Sequence, residues 1–139
     1  MSEPTAPADA PDAPAAPLAH LLVVDDEPGM RRMMSRALER EGYKVRTAAT
    51  GPDALAIVER DTVDLVVSDI VMEPMDGLAL LGKLRELNTA LPVIMVTAFG
   101  TVESAVEAMK RGAADYLAKP FAVDELALVV AKALERIRL

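Results

Sequence analysis

The chain has no cysteine and a single histidine, His20, in 139 residues. Without thiols there is no disulfide framework, no thiolate zinc site and no cysteine nucleophile. One imidazole also excludes a multi-histidine metal site and an intramolecular histidine relay. Long apolar runs are missing too: the longest, Leu126 to Ala131, is far short of the ~20 residues that a membrane-spanning helix needs. Basic charge is scarce, with 15 Lys and Arg against 22 Asp and Glu, a net −7. That is the wrong sign for unaided binding to nucleic acid or to an anionic membrane. What is present is a 52% apolar chain, long enough for one domain that buries roughly two-thirds of its unfolded surface.

The N-terminal stretch MSEPTAPADAPDAPAAPLA differs from all that follows. Five of the ten prolines lie in it, with three acids and no base. Proline at this density blocks helix and sheet ladders, and the stretch has little to bury. Residues 1–18 are expected to form a disordered tail, and residues 19–139 the folded domain. The latter then keeps 15 basic against 19 acidic residues, a net −4. No positive start and apolar core of a signal peptide appears, so a cytoplasmic protein is expected.

From Ala19 onward the hydrophobic period alternates between strand and helix. Leu21 to Val24 is a short apolar run that stops at Asp25-Asp26-Glu27. Pro28 opens a helix with Met30, Met33, Met34, Ala37 and Leu38 on one face, ended by Gly42. Tyr43 to Ala48 reads as a second strand and Gly51 to Arg60 as a helix. Leu65 to Ser68 is a third strand, ending at Asp69, and is followed by a helix over Leu78 to Leu87. Pro92 to Thr97 is a fourth strand. Thr101 to Arg111 carries the most regular helical stripe, Val102, Ala105, Val106 and Met109. Asp115 to Ala118 is a fifth strand, and a last helix buries Leu126, Val129, Val130, Ala133, Leu134 and Ile137. Strands that are solid apolar runs, alternating with helices, predict a doubly wound α/β domain around a parallel sheet.

In such a sheet ligands sit at the carboxyl ends of the strands. The first strand ends in Asp25-Asp26, the third in Asp69, the fourth in Thr97 and the fifth in Lys119. Three carboxylates without His or Cys suit Mg²⁺ or Mn²⁺, which keep waters and leave room for a phosphate oxygen. Lys119 and Thr97 suit the same anion, so a carboxylate among them is placed to accept a phosphoryl group. Each residue has a plainer role available: Asp25 and Asp26 as helix caps, Asp69 as a turn residue, Thr97 as a cap, Lys119 as a solvated lysine. Independent accidents would rarely put all five at one edge. Other phosphate sites are absent: there is no G-x-x-x-x-G-K-[ST], no G-x-G-x-x-G, and Asp69 is followed by Ile70-Val71 rather than by x-Asp.

VVDDEP, SDIVMEPMDGLALL, VTAFG and ADYLAKPF together resemble the receiver domain of bacterial two-component response regulators. GTVESAVEAMKRGAADYLAKPF is most similar to the receivers of the nitrogen-regulation class of transcriptional activators. The resemblance implies a flavodoxin-like fold with strand order 2-1-3-4-5. It implies that Asp69 is phosphorylated, that Asp26 binds Mg²⁺ directly, Asp25 through water, and that the Val71 carbonyl is the third protein ligand. Thr97 and Lys119 would hold the phosphoryl group, Tyr116 would be an aromatic switch behind Thr97, and the Lys119–Pro120 peptide would be cis. The implied phosphodonor is a histidine kinase or phosphotransfer protein, and the implied output is transcriptional, through a further domain or a partner. The domain would bind neither nucleic acid nor membrane itself, and would turn over no external substrate. Related receivers pair through the last helix, the fifth strand and the helix before it, where Glu107, Lys110, Arg111, Asp115 and Arg136 supply mixed charge. A scaffold that works without phosphorylation and a Mg²⁺-dependent phosphohydrolase are the alternatives. One departure stands out: Glu73 intervenes before Pro74, where the family has proline directly after Met72. A fourth carboxylate there has three possible fates: to reach the metal through water, to pair with Lys119, or to face solvent.

Overall fold

The computed structural model describes residues 16–98 and 102–138. The expected tail therefore falls mostly outside the described residues, as do Thr101 and the side chain of Ile137. Ala16 to Leu18 are exposed and in no regular element, and Ala19 is the first buried residue. Ten elements follow. They are β1 (His20–Val24), α1 (Pro28–Arg40), β2 (Lys44–Ala48), α2 (Gly51–Arg60), β3 (Leu65–Asp69), α3 (Gly77–Leu87), β4 (Val93–Thr97), α4 (Val102–Lys110), β5 (Asp115–Ala118) and α5 (Val123–Arg138). All strand pairs are parallel, in the order β2-β1-β3-β4-β5. The order reverses beside β1 and β3, which carry the acids at their ends.

Successive residues of a strand point to opposite faces, and here both faces are covered. Leu21, Val23, Leu65, Val67, Ile94 and Val96 pack against Met34 and Leu38 of α1 and Leu126, Val130 and Leu134 of α5. Leu22, Val24, Val66, Val93 and Met95 face Ala54 of α2, Leu80, Leu81 and Leu84 of α3, and Ala108 of α4. The unbroken apolar runs in the sequence are this double burial. Strand β2 lies at the edge, which accounts for its exposed Lys44, Arg46 and Thr47.

The stripes read on α1 and α5 face the core wherever they are described, and the one on α4 misleads. Val102, Val106 and Met109 of α4 share a face, but it is the outer one: they are 81%, 47% and 48% exposed. Helix α4 rests on the sheet through the small side of Ala108 instead, which leaves its larger apolar residues in water.

Candidate functional site

The carboxyl ends of β1, β3, β4 and β5 bring the expected residues together. Asp25 continues β1 by one residue, its N–H donating to the Ala48 carbonyl at 3.2 Å, and is fully buried. Its Oδ1 accepts from the Glu27 N–H at 2.9 Å, and its carbonyl accepts from Arg31 Nη1 at 2.7 Å. Asp26 is exposed. Neither aspartate caps α1. Glu27 does, its Oε1 accepting from the Met30 N–H at 2.6 Å. The plainer reading of the acidic pair thus gives way, because the cap role is already filled. Sequence reasoning also missed Arg31: one arginine in a helix with four gives no signal that it clamps the Asp25 backbone.

Asp69 ends β3 and is buried to 6% exposure; Thr97 ends β4 at 1%. Lys119 follows β5, its N–H donating to the Thr97 carbonyl at 2.9 Å, and its peptide bond to Pro120 is cis as expected. The Lys119 Nζ lies 3.1 Å from Asp25 Oδ2 and 3.4 Å from Asp69 Oδ2. One carboxylate oxygen each from Asp25, Asp26 and Asp69 lies within 4.8 Å of the others. Three anions and one cation in this space leave the cluster short of positive charge.

Burial pushes the Asp69 carboxyl above its ordinary value and the Asp25 charge adds to this, while Lys119 and the Val71 amide pull the other way. Its Oδ1 is buried and has no hydrogen-bond partner. An unpartnered buried carboxylate oxygen is costly by itself, and it faces two further carboxylates. The donor set, all oxygen and net negative, fits a small hard dication such as Mg²⁺.

The loop after β3 is held by its ends. The Ile70 N–H donates to the Val96 carbonyl at 2.9 Å, and the Gly77 N–H to the Ile70 carbonyl at 2.7 Å. A β-carbon on Gly77 would stand 2.1 Å from the Asp69 carbonyl oxygen, so only glycine lets α3 start this close to the site. Asp76 caps α3, its Oδ1 accepting from the Ala79 N–H at 2.8 Å. Val71 lies on this loop, its side chain exposed. Glu73 is exposed, and its peptide bond to Pro74 is also cis. The pairing of Glu73 with Lys119 is not formed; that ammonium is taken by Asp25 and Asp69.

Tyr116 sits on β5 beside Met95 and is partly buried. Its hydroxyl is 2.9 Å from Ser104 Oγ, which joins β5 to α4. Nothing in the sequence links these two residues, twelve positions apart on separate elements.

The model of the response regulator receiver domain matches residues 21–131. The chain is 41% identical over 118 residues to the transcriptional regulatory protein GlrR of Escherichia coli K12, covering 85% of this chain and 27% of that protein. It is 40% identical over 125 residues to the nitrogen assimilation regulatory protein NtrX of Azorhizobium caulinodans, covering 88% and 28%. The chain thus spans little more than a quarter of the curated relatives named here. Among solved structures, it resembles a receiver domain protein from Clostridium thermocellum (TM-score 0.82, 31% identity, 87% of this chain and 98% of that one). It also resembles the receiver domain of NtrX from Brucella abortus (TM-score 0.77, 43% identity, 83% and 98%). On the fold, the clustered acids and these likenesses together, the chain belongs to the response regulator receiver domain family.

Proposed function

We propose that this domain is a phosphorylation-gated switch in which Asp69 takes a phosphoryl group from the phosphohistidine of a histidine kinase or phosphotransfer protein. An Asp69 carboxylate oxygen attacks phosphorus and the P–N bond breaks. The electron pair leaves on the imidazole, which takes up a proton, and an acyl phosphate remains. The observation that carries this reading is the buried, unpartnered Oδ1 of Asp69 within reach of a lysine and two further acids. Asp26, Asp69 and the Val71 carbonyl would hold Mg²⁺ directly. Asp25 would act through water, since Lys119 and the Glu27 N–H already occupy its oxygens. When bound, the ion neutralises charge on the phosphoryl oxygens and the crowded carboxylates.

Lys119, now shared between Asp25 and Asp69, is positioned to turn to the phosphoryl oxygens, and the Thr97 hydroxyl to donate to the same group. Thr97 and Lys119 end neighbouring strands, so a change at either biases β5 and α4, with Tyr116 and Ser104 between them. The domain catalyses only its own phosphorylation and dephosphorylation. We read the output as transcriptional, through a further domain or a partner, since the relatives matched are named transcriptional regulators, and we place the protein in the cytoplasm. Among the described residues no helix is long and apolar enough to cross a membrane. Acetyl phosphate with Mg²⁺ should add one phosphoryl group, seen by intact-protein mass spectrometry, and Asp69→Asn should abolish it. Undiminished labelling of that variant would overturn the assignment.

A further inference from the structure

Helix α1 carries Arg32, Arg36 and Arg40 at every fourth position, so the three share one face, and all are exposed. With Gly29, Met33, Ala37 and Val123 at the start of α5 they line a groove of about 300 Å³ that no carboxylate borders. The ion pairs among the described residues use Arg46, Arg60, Arg111 and Lys119, and none uses these three arginines. Like charges four residues apart on a helix repel. A chain of net −7 therefore holds one basic row outside every ion pair among the described residues, with Glu39 beside Arg32 and Arg36 on its other flank.

We propose that the acidic N-terminal segment of this same chain, residues 1–15, docks in this groove along the arginine row. The segment carries Glu3, Asp9 and Asp12 and no lysine or arginine. It joins the domain at the right end: the Leu18 N–H donates to the Gly42 carbonyl at 3.1 Å, and Gly42 is two residues past Arg40. Asp12 lies six residues before Leu18, a reach of up to ~20 Å. Arg40 and Arg32, eight residues apart on a helix, are separated by only ~12 Å. Asp12 thus reaches any of the three, and Asp9 is three residues further along for Arg32. Pro4, Pro7, Pro11 and Pro14 bar a helix and limit the freedom lost on docking. Single exposed ion pairs are weak. A short tether, however, raises the local concentration of the acids to roughly millimolar, which suits a contact that ordinary salt modulates. The groove runs from the chain entry to Gly29, close to the Asp25–Glu27 turn. The docked segment flanks the carboxylate pocket, and another acidic chain must displace it to use the row.

The test needs no assumption about phosphorylation. Because the chain has no cysteine, a nitroxide on Ala8→Cys in the full chain is a single label. Amides of residues 29–40 and Val123 should be broadened in the NMR spectrum, and those of α2 and α3 across the sheet should not. The broadening should fall by at least about twofold in ~0.5 M salt, in Arg36→Glu/Arg40→Glu, and in Asp9→Asn/Asp12→Asn, which leaves the folded surface intact. Broadening that is absent, evenly spread, or unmoved by the tail variant overturns the proposal. So does broadening that passes from nitroxide-bearing to isotope-labelled molecules in a mixture, since the occupant is then a second copy.

Discussion

Asp69 is the residue on which burial and charge work against each other. Its carboxyl is lifted above 3.8 by desolvation first and by Asp25 next. Between the unfolded value and the lifted one, the folded state binds more protons than the unfolded state. Stability then falls as pH rises through that window, and the loss persists above it. Asp69→Asn should therefore raise the melting temperature of metal-free protein at pH 7.5. An effect on the order of 1 kcal/mol, ~4 °C, is expected. The gain should shrink as pH falls from 7.5 toward 4, because the lifted carboxyl takes up its proton ahead of an ordinary aspartate, and Mg²⁺ should stabilise the wild type more than the variant. Thermal melts with and without EDTA at the two pH values check this; a less stable variant at pH 7.5 would show that Lys119 outweighs desolvation. Glu73 shows the opposite case. It is exposed, and Lys119 is engaged elsewhere, so Glu73→Ala should change Mg²⁺ affinity and acyl-phosphate lifetime by less than about twofold, ~0.4 kcal/mol. A larger change in Mg²⁺ affinity would reinstate a water-mediated role.

Two glycines of α3 separate packing from propensity at the element scale. Gly77 starts the helix with no room for a β-carbon: Asp69 O, Ile70 Cα and Met95 Cε would all lie within 2.8 Å of it. Gly77→Ala should cost about 1–3 kcal/mol and, by moving the β3–α3 loop, slow phosphorylation of Asp69. Gly82, inside the same helix, has nothing within 4 Å of a built β-carbon. Gly82→Ala should stabilise by ~0.5–1 kcal/mol and leave phosphorylation alone. Urea denaturation midpoints read both, and similar shifts in the two variants would refute the steric account. Helix α4 has a third character. It is amphipathic, yet its apolar residues Val102, Val106 and Met109 lie outward, so its packing on the domain is light.

For the whole molecule, that outward face is the ground on which we propose that this chain, like the related receivers, forms a homodimer through α4, β5 and α5. Some of the charge expected to cross the interface is already used within the chain: Arg111 pairs with Glu107 at 2.7 Å, and Arg136 donates to the Ala114 carbonyl at 3.3 Å. Apolar contact from Val106 and Met109 should then supply more of the association than ion pairs do. Sedimentation with and without beryllofluoride should show a shift toward dimer on activation. Val106→Asp should weaken it by tenfold or more, about 1.4 kcal/mol. No shift in the wild type leaves the pairing without support.

The amino-acid sequence by itself determined the alternation of elements, because a parallel strand covered on both faces must be an unbroken apolar run. It also determined which side chains meet, because Asp25, Asp26, Asp69, Thr97 and Lys119 each fall just past a strand, and parallel strands end at one edge. Only the tertiary structure decided how they meet. Asp25 and Asp26 are neighbours of the same type, yet one is fully buried and the other exposed, since adjacent residues leaving a strand point to different sides. The stripe on α4 announced a face but not its neighbour, and small Ala108 took the inward side. The contact of Tyr116 with Ser104 and the closeness of Gly77 to Asp69 join distant or oppositely running segments. Periodicity is set within a few residues of the chain, whereas contacts of this kind exist only once separate elements are packed together.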